Sequence, residues 1–249
     1  MPAVHTPAII LQSFGYSETS KILRLITRTH GVQSVIAKGA LRPKSRFGGV
    51  LEPFTQGNAS FFLRDTRELH TLSAFELQRS RQTLGSDLVR FGGASLLAEL
   101  VLRVVSEESD PTLFDSLSAA LDRISQTPAV MVQSVVLAET WALIAQLGFA
   151  PALEQCQSCG RFLDEQDEAI FDYTSGGVRC IGCAAGQGGR VLPAAARITL
   201  LRLAAGAAVP LERTAAHWRL LARFLSHHVL EGQTLRSLAF LDETLQAEQ

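Results

Sequence analysis

The sequence has no G-x-x-x-x-G-K-S/T, no G-x-G-x-x-G and no G-x-S-x-G. It therefore offers no phosphate-cradling loop, no dinucleotide fingerprint and no nucleophile elbow. Histidine is scarce: His5, His30, His70, His217, His227 and His228 are all there is. None falls in a spacing that joins it to a carboxylate cluster or a nucleophile, so all six read as surface or boundary residues. His227 and His228 are adjacent and on a helix point in different directions. These absences make the chain a non-enzyme on first reading. Long apolar runs are also missing. The most apolar stretches, around 130–150 and 191–209, are broken by Glu139 and by Arg197 and Arg202, so neither is expected to span a membrane. The first residues lack a basic start followed by an apolar run, and no targeting segment is expected.

Cysteine is scarcer still, and here scarcity is informative. The four cysteines form two C-x₂-C pairs, Cys156/Cys159 and Cys180/Cys183. Two thiolates three positions apart can grip one tetrahedral cation from a tight turn, and a second pair closes the shell at four sulfurs. Gly160 and Gly182 are expected to give these turns backbone freedom. Ser175-Gly176-Gly177 reads as a hairpin tip leading into Cys180, and Phe162, Ile170, Phe171 and Tyr173 are placed to cover the site. The pattern points to one structural Zn²⁺ per chain. Two disulfides, unrelated thiols or an iron–sulfur cluster are the alternatives. Four cysteines leave no open position for water or substrate, so the site is a staple rather than a reaction centre. Cysteines used as metal ligands fit a reducing compartment, which makes the chain cytoplasmic.

The net charge of −1 hides a division. Residues 1–80 hold 10 Lys and Arg against 5 Asp and Glu; residues 81–249 hold 13 against 19. A basic front on an acidic rear suggests that the front meets polyanions. That front reads as β: Ala8–Leu11, Lys21–Thr27, Val32–Ala37, Asn58–Arg64 and Leu69–Leu77, the last two joined by a hairpin turn at Asp65–Glu68. Five short strands in 80 residues suggest a closed barrel, an OB-fold first and an SH3-like barrel as its rival. The segment Lys38–Gly49 breaks the pattern. Lys38, Arg42, Lys44 and Arg46 stand within nine residues, which reads as a mobile basic loop. Its arginines can fork onto phosphates, and Phe47 could stack on a base. Arg24, Arg28 and Arg64 are further candidates for phosphate contact.

From residue 84 the period becomes helical. Asp87 is expected to cap a helix to Val105, with Leu88, Phe91, Leu96, Leu100 and Val104 along its apolar side. Asp110-Pro111 opens a second helix and Thr127-Pro128 a third, ending at Gly148. After the cysteines, Gly186–Gly189 reads as a flexible exit. Pro193 then begins a further helix, and Leu211–Leu230 and Leu235–Leu245 are the last two. The fold class is therefore α+β: an N-terminal five-stranded OB-fold barrel over 1–80, then an α-helical domain over 81–249 interrupted by a four-cysteine zinc finger at 151–187.

Specific residues carry a resemblance. Gly15-Tyr16-Ser17-Glu18-Thr19-Ser20-Lys21, Thr27–Gly31, Val35–Ala40, Arg42–Gly49 and Leu51–Phe54, with the later C-x₂-C pairs, resemble the RecO family of bacterial DNA-repair proteins. Leu235-Arg236-Ser237-Leu238 looks like the family's terminal helix. The resemblance implies an OB-fold followed by a helical domain. It implies binding of single- and double-stranded DNA, annealing of complementary strands, and partnership with RecR. It also implies help in loading RecA onto strands coated by single-stranded-DNA-binding protein (SSB), in the cytoplasm and at the nucleoid. Arg219 and Arg223, one turn apart, are a candidate site for the acidic tail of SSB. Two other readings are open: an enzyme using redox thiols, and a zinc-stapled protein–protein adapter with no direct nucleic-acid role.

Overall fold

Alternating apolar residues fill the first third of the chain and build five strands: β1 (Ala3–Gly15), β2 (Lys21–Thr27), β3 (Gly31–Ala37), β4 (Gln56–Phe62) and β5 (Leu69–Arg79). The computed structural model describes residues 3–63, 68–105, 108–185 and 190–247. The expected turn at Asp65–Glu68, the Arg64 candidate and the Gly186–Gly189 exit therefore lie wholly or mostly outside the described residues. Two compact units make up the chain, Met1–Gln126 and Thr127–Gln249.

In the first unit the strands close into a barrel in the order β1-β2-β3-β5-β4. β1 makes the closure. Its first half pairs antiparallel with β4, from Ala3 opposite Phe62 to Ile9 opposite Gln56. Its second half pairs with β2, from Ala8 opposite Thr27 to Gly15 opposite Lys21, with a register shift between Ile10 and Gln12. β3 and β5 run parallel, Ser34 opposite Leu69 and Ile36 opposite Thr71. This is the OB arrangement, and it leaves no free sheet edge. Ile10, Leu23, Leu25, Val35, Phe61 and Leu72 fill the interior. The β2–β3 turn needs Gly31, whose φ of 58° is the left-handed region.

The segment between β3 and β4 is not the mobile loop expected. It is a run of short turns: the N–H of Arg42 donates to the Gly39 carbonyl, Ser45 to Arg42, Gly48 to Ser45 and Val50 to Phe47. Phe47 is only 3% exposed and packs with Leu51 into the barrel core, so it is not available to stack on a base. The reason is the barrel itself. Its end would be open to water, and a ring with a leucine four residues on closes it.

Two helices follow in this unit, α1 (Leu88–Val104) and α2 (Pro111–Gln126). Asp87 caps α1 by accepting from the Arg90 N–H at 2.8 Å, and Asp110 caps α2 by accepting from Leu113 at 3.0 Å. The buried side of α1 differs from the expected one. Leu88 and Phe91 are exposed, and Val89, Leu97 and Val101 are buried with Leu96 and Leu100. Gly92, Gly93 and Ala94 are buried on the same helix.

Arg81 fastens barrel to helix. Its side chain is almost fully buried. Nε donates to Asp122 at 2.7 Å, Nη1 to the Phe54 carbonyl at 2.9 Å, and Nη2 to Gln56 and Ser118 at 2.9 Å each. Asp122 also pairs with Arg79. Phe54 needs this support, because its φ of 67° is unusual for a bulky residue.

The second unit surrounds α3 (Val132–Gln146), whose Trp141 and Ile144 are fully buried. Residues Ala129–Gln146 are long and apolar enough to cross a membrane, but they form the core helix of this unit, with Glu139 buried among them. Then come β6 (Ala152–Cys156), β7 (Ala169–Asp172), β8 (Gly177–Cys180), α4 (Ile181–Ala184), β9 (Val191–Leu192), α5 (Ala194–Ala204), α6 (Thr214–His228) and α7 (Arg236–Ala247). The four strands form a small sheet in the order β6-β8-β7-β9. Trp141 meets Phe224 of α6 at 5.0 Å between ring centroids, and Phe224 meets Phe171 of β7 at 6.3 Å.

Not every histidine lies at the surface. His70 is buried and stacks on Phe61, and His217 is buried, which lowers its pKa. His227 and His228 do not separate as expected: their ring centroids are 6.4 Å apart and both meet Tyr173, the ring of His227 stacking on it at 6.0 Å and Nε2 of His228 donating to its carbonyl at 2.7 Å.

The Arg81 network yields a stability prediction. Arg81→Ala strands the buried Phe54 carbonyl and leaves Asp122 to Arg79 alone, and should cost about 2–4 kcal/mol in denaturant unfolding. Arg81→Met with Asp122→Leu should cost less, since both charges go. A single-variant loss below about 0.5 kcal/mol, the level of an ordinary surface change, would show that the network does not hold barrel to helix.

Candidate metal centre and nucleic-acid face

The cysteines arrive from two secondary-structure ends. Cys156 closes β6 and Cys159 sits in the turn after it. Cys180 closes β8 and Cys183 lies in α4. The first turn is built by the Gly160 N–H donating to the Cys156 carbonyl at 2.9 Å, with Gly160 at φ 73°. The second turn is helical, and Gly182 has no left-handed conformation there, so the freedom expected of it is not used. The β7–β8 hairpin turns over Tyr173–Gly176 with Gly176 at φ 69°. Ile170 and Phe171 are buried, with Phe171 and Tyr173 against each other and against α6, and Phe162 is 68% exposed and does not cover the cluster. It follows the first turn on a single bridge to Gln155, facing away from the sheet core.

All four sulfurs lie within 4.8 Å of one another, and none is in a disulfide. A tetrahedral site with metal–sulfur bonds of about 2.3 Å has edges of about 3.8 Å, so the set fits a metal. The electrostatics fit as well. Burial disfavours charge on Cys156, but the N–H groups of Cys180, Cys159 and Ser158 converge on its sulfur and hold its pKa down to about 6. That of Cys180 donates at 3.3 Å. Cys183 is pushed up to about 12 by the thiol hydrogen bonds around it, from Cys180, Cys159 and Cys156. One sulfur is thus already supplied with donors for a thiolate, as second-sphere N–H groups do at thiolate sites. A bound cation would supply the positive charge that lets the remaining thiols ionise.

Arg197 of α5 holds the cysteine-bearing segment to the helices. Its guanidinium is fully buried and donates to three backbone carbonyls, those of Leu153 at 3.2 Å, Asp167 at 3.3 Å and Asp164. The sequence alone marks Arg197 only as a charge that breaks an apolar span. An arginine inside an apolar helical run is the available signal that something polar has to meet it.

The basic residues divide into three groups. Lys38, Arg42, Lys44 and Arg46 are exposed on the run of turns at one barrel end. Lys38, Arg42 and Lys44 form no ion pair among the described residues. Arg46 lies over the Phe47 ring at 4.9 Å and donates to the Leu72 carbonyl at 3.1 Å, so part of its fork is engaged. A cleft of about 320 Å³ opens here, with Lys21, Leu41, Arg42 and Glu52 on its walls. Arg24 is half-buried on the outside of β2, also without an ion pair among the described residues. Arg28 stands beyond the opposite end of β2, in a two-pronged pair with Asp115 at 3.1 and 2.9 Å. That hydrogen-bonded guanidinium holds the Asp115 carboxyl below the usual carboxylate range.

A closed OB barrel, a helical region and a four-cysteine cluster now stand in one chain. Comparison with known proteins matches residues 1–81 to the family model "Recombination protein O N terminal" and residues 85–239 to "Recombination protein O C terminal". The chain belongs to the RecO family. Curated relatives named "DNA repair protein RecO" agree. That of Anaeromyxobacter dehalogenans (strain 2CP-C) is 36% identical over 98% of this chain and 97% of its own length. That of Nocardioides sp. (strain ATCC BAA-499 / JS614) is 30% identical over 94% and 97%, and that of Bacillus pumilus (strain SAFR-032) 30% over 80% and 76%. Membership in the RecO family gives the chain a role in DNA repair and recombination.

The cluster's geometry is open to a spectroscopic check. Cobalt(II) added to the reduced, metal-free chain should bind once per chain and give the visible bands of tetrahedral thiolate coordination. Cys180→Ser should weaken binding and shift those bands. An octahedral spectrum, or no binding, would contradict the arrangement.

Proposed function

We propose that this chain is a recombination mediator without catalytic turnover. In this reading residues 1–80 hold single- and double-stranded DNA through Lys38, Arg42, Lys44 and Arg46, with Arg24, Arg28 and Arg64 contributing less. Residues 81–249 carry partner contacts, and the 151–187 finger is stapled by one Zn²⁺ on Cys156, Cys159, Cys180 and Cys183. The observation that carries the reading is the group of exposed cations at one end of an OB barrel, without ion-pair partners among the described residues, in a chain of the RecO family. Exposed Lys and Arg that no carboxylate neutralises are free to replace the counterions of a phosphate backbone. Arg28 is the weakest of the set, because Asp115 competes with phosphate for its fork.

Annealing follows from that chemistry. Two complementary strands repel as polyanions and must search for register. A protein that grips phosphates and leaves base edges free reduces the repulsion without fixing sequence. No nucleotide is needed. Arg219 and Arg223 lie exposed one turn apart on α6, with Arg223 over the Tyr173 ring at 5.5 Å. They suit the acidic tail of SSB, which would bring the chain to coated strands. Partnership with RecR, delivery of strands to RecA, and a cytoplasmic, nucleoid-associated location complete the reading.

Binding of a labelled single strand, measured against salt, tests it. The Arg42/Lys44/Arg46 triple Ala variant should weaken binding and flatten the log–log salt slope by roughly 0.7 for each phosphate no longer neutralised. Complementary strands should anneal faster with the chain present and no nucleotide. Neither binding nor acceleration would favour a zinc-stapled adapter instead. Chelation should lower the unfolding temperature and release one zinc per chain; a chain that keeps its unfolding temperature after losing its metal would contradict the staple.

A further inference from the structure

Phe47, the ring inside the basic segment, is buried, so a base-stacking surface has to be sought elsewhere on the barrel. The strand register puts one there. Phe14 stands opposite Ile22, Ile22 opposite Ile36, Ile36 opposite Thr71, and Thr71 opposite Phe62. Side chains alternate along a strand. The neighbours Leu23, Val35, Leu72 and Phe61 point into the core and are buried, so this row points outward. Phe14 is 48% and Phe62 40% exposed, and Tyr16, just past the end of β1, is 62% exposed. The Tyr16 N–H donates to the Ser20 carbonyl at 2.9 Å, which fixes the turn that presents it.

The row beside it consists of Gln12, Arg24, Ser34 and Leu69. Neither row contains a carboxylate. Arg24 lies in the row next to the apolar one, two residues from Ile22 on the same face of β2, and Lys38 follows β3 two residues beyond Ile36. The exterior of a barrel strand in water is ordinarily polar. Exposed carboxylates flank the band, Glu18 in the turn that carries Tyr16 and Glu68 before Leu69, but none lies within it; aromatic rings at its ends and a cation in the row beside it are complementary to a ligand with flat apolar faces on an anionic backbone.

We infer that Phe14 and Tyr16 are base-stacking residues for single-stranded DNA, with Arg24 on the adjacent phosphate, along the outer face of β1, β2 and β3. This rests on the DNA-binding reading above and adds to it a binding path and a strand preference. In a duplex the base faces are covered by their neighbours, so these rings engage only unpaired strands. Stacking on a ring does not distinguish sequence, because every base has a π-face.

The test uses the full chain and two labelled probes of equal length, an oligothymidylate and an abasic oligonucleotide with the same backbone. Phe14→Ala and Tyr16→Ala should each weaken oligothymidylate binding roughly 5- to 150-fold, the range for removing one ring from beneath a base. Both should leave abasic affinity and the salt slope unchanged. Phe14→Tyr and Tyr16→Phe should retain wild-type affinity. Arg24→Ala should flatten the salt slope by roughly 0.7 on both probes. Equal losses on the two probes, or no loss on either, would overturn the stacking role. If the wild type binds neither probe, the DNA-binding reading fails and the stacking role with it. If instead it binds both while the ring variants behave as wild type, only the stacking role is lost. Should Phe14→Ala unfold, Tyr16→Ala carries the test, since Tyr16 lies in an exposed turn.

Discussion

A guanidinium taken out of water must have its N–H groups met by acceptors, and each unit of this chain is assembled around one that is. In the first unit Arg81 gathers Asp122, Gln56, Ser118 and the Phe54 carbonyl. The strained Phe54, the start of β4 and the second helix are thereby fixed to one another. In the second unit Arg197 takes three carbonyls from the segment bearing the cysteines. Its hydrogen-bond acceptors are peptide carbonyls, and the Asp167 carboxylate is near enough to feel its charge. The cost of burying such a group is high unless every donor finds a partner, and that requirement selects one arrangement of the surrounding backbone.

The consequence for the metal centre is a division of labour. Arg197 anchors β6 and the segment between the two C-x₂-C turns, while the sulfurs close the ends of β6 and β8. The cluster can then be a purely structural closure, with the helices supplying part of its rigidity. The barrel combines two roles in a similar way. One segment between β3 and β4 plugs the core with Phe47 and Leu51 and displays Lys38, Arg42 and Lys44 outward. Packing inside and charge outside come from the same eighteen-residue connection, Lys38–Thr55, so the cations stand on an ordered base.

Much of this is legible in the sequence because it is written in local signals. β2 can be read to the residue from its alternation, the caps at Asp87 and Asp110 from their side-chain chemistry, and the sulfur cluster from two spacings. What is not legible depends on tertiary closure. Phe47 reads as part of a solvated loop, since nothing local shows that a barrel end needs a plug. Phe162 reads as a cover for the cluster, but its single bridge to Gln155 turns it away. His70 sits at the interior parity of β5 and stacks on Phe61, a placement that only the strand register reveals. The outward row from Phe14 to Phe62 is likewise invisible until the pairing of all five strands is known. Arg81 and Arg197 announce themselves as charges, but not which carbonyls they will find.

The central claim is that the barrel end and its β1–β2–β3 face, rather than the cysteine-bearing sheet, meet the nucleic acid. Amide hydrogen exchange of the full chain with and without a single-stranded oligonucleotide tests this most directly. The account predicts slowed exchange in 15–24 and 38–49, with 152–185 unchanged. Protection confined to 152–185, with the barrel segments unaffected, would contradict it.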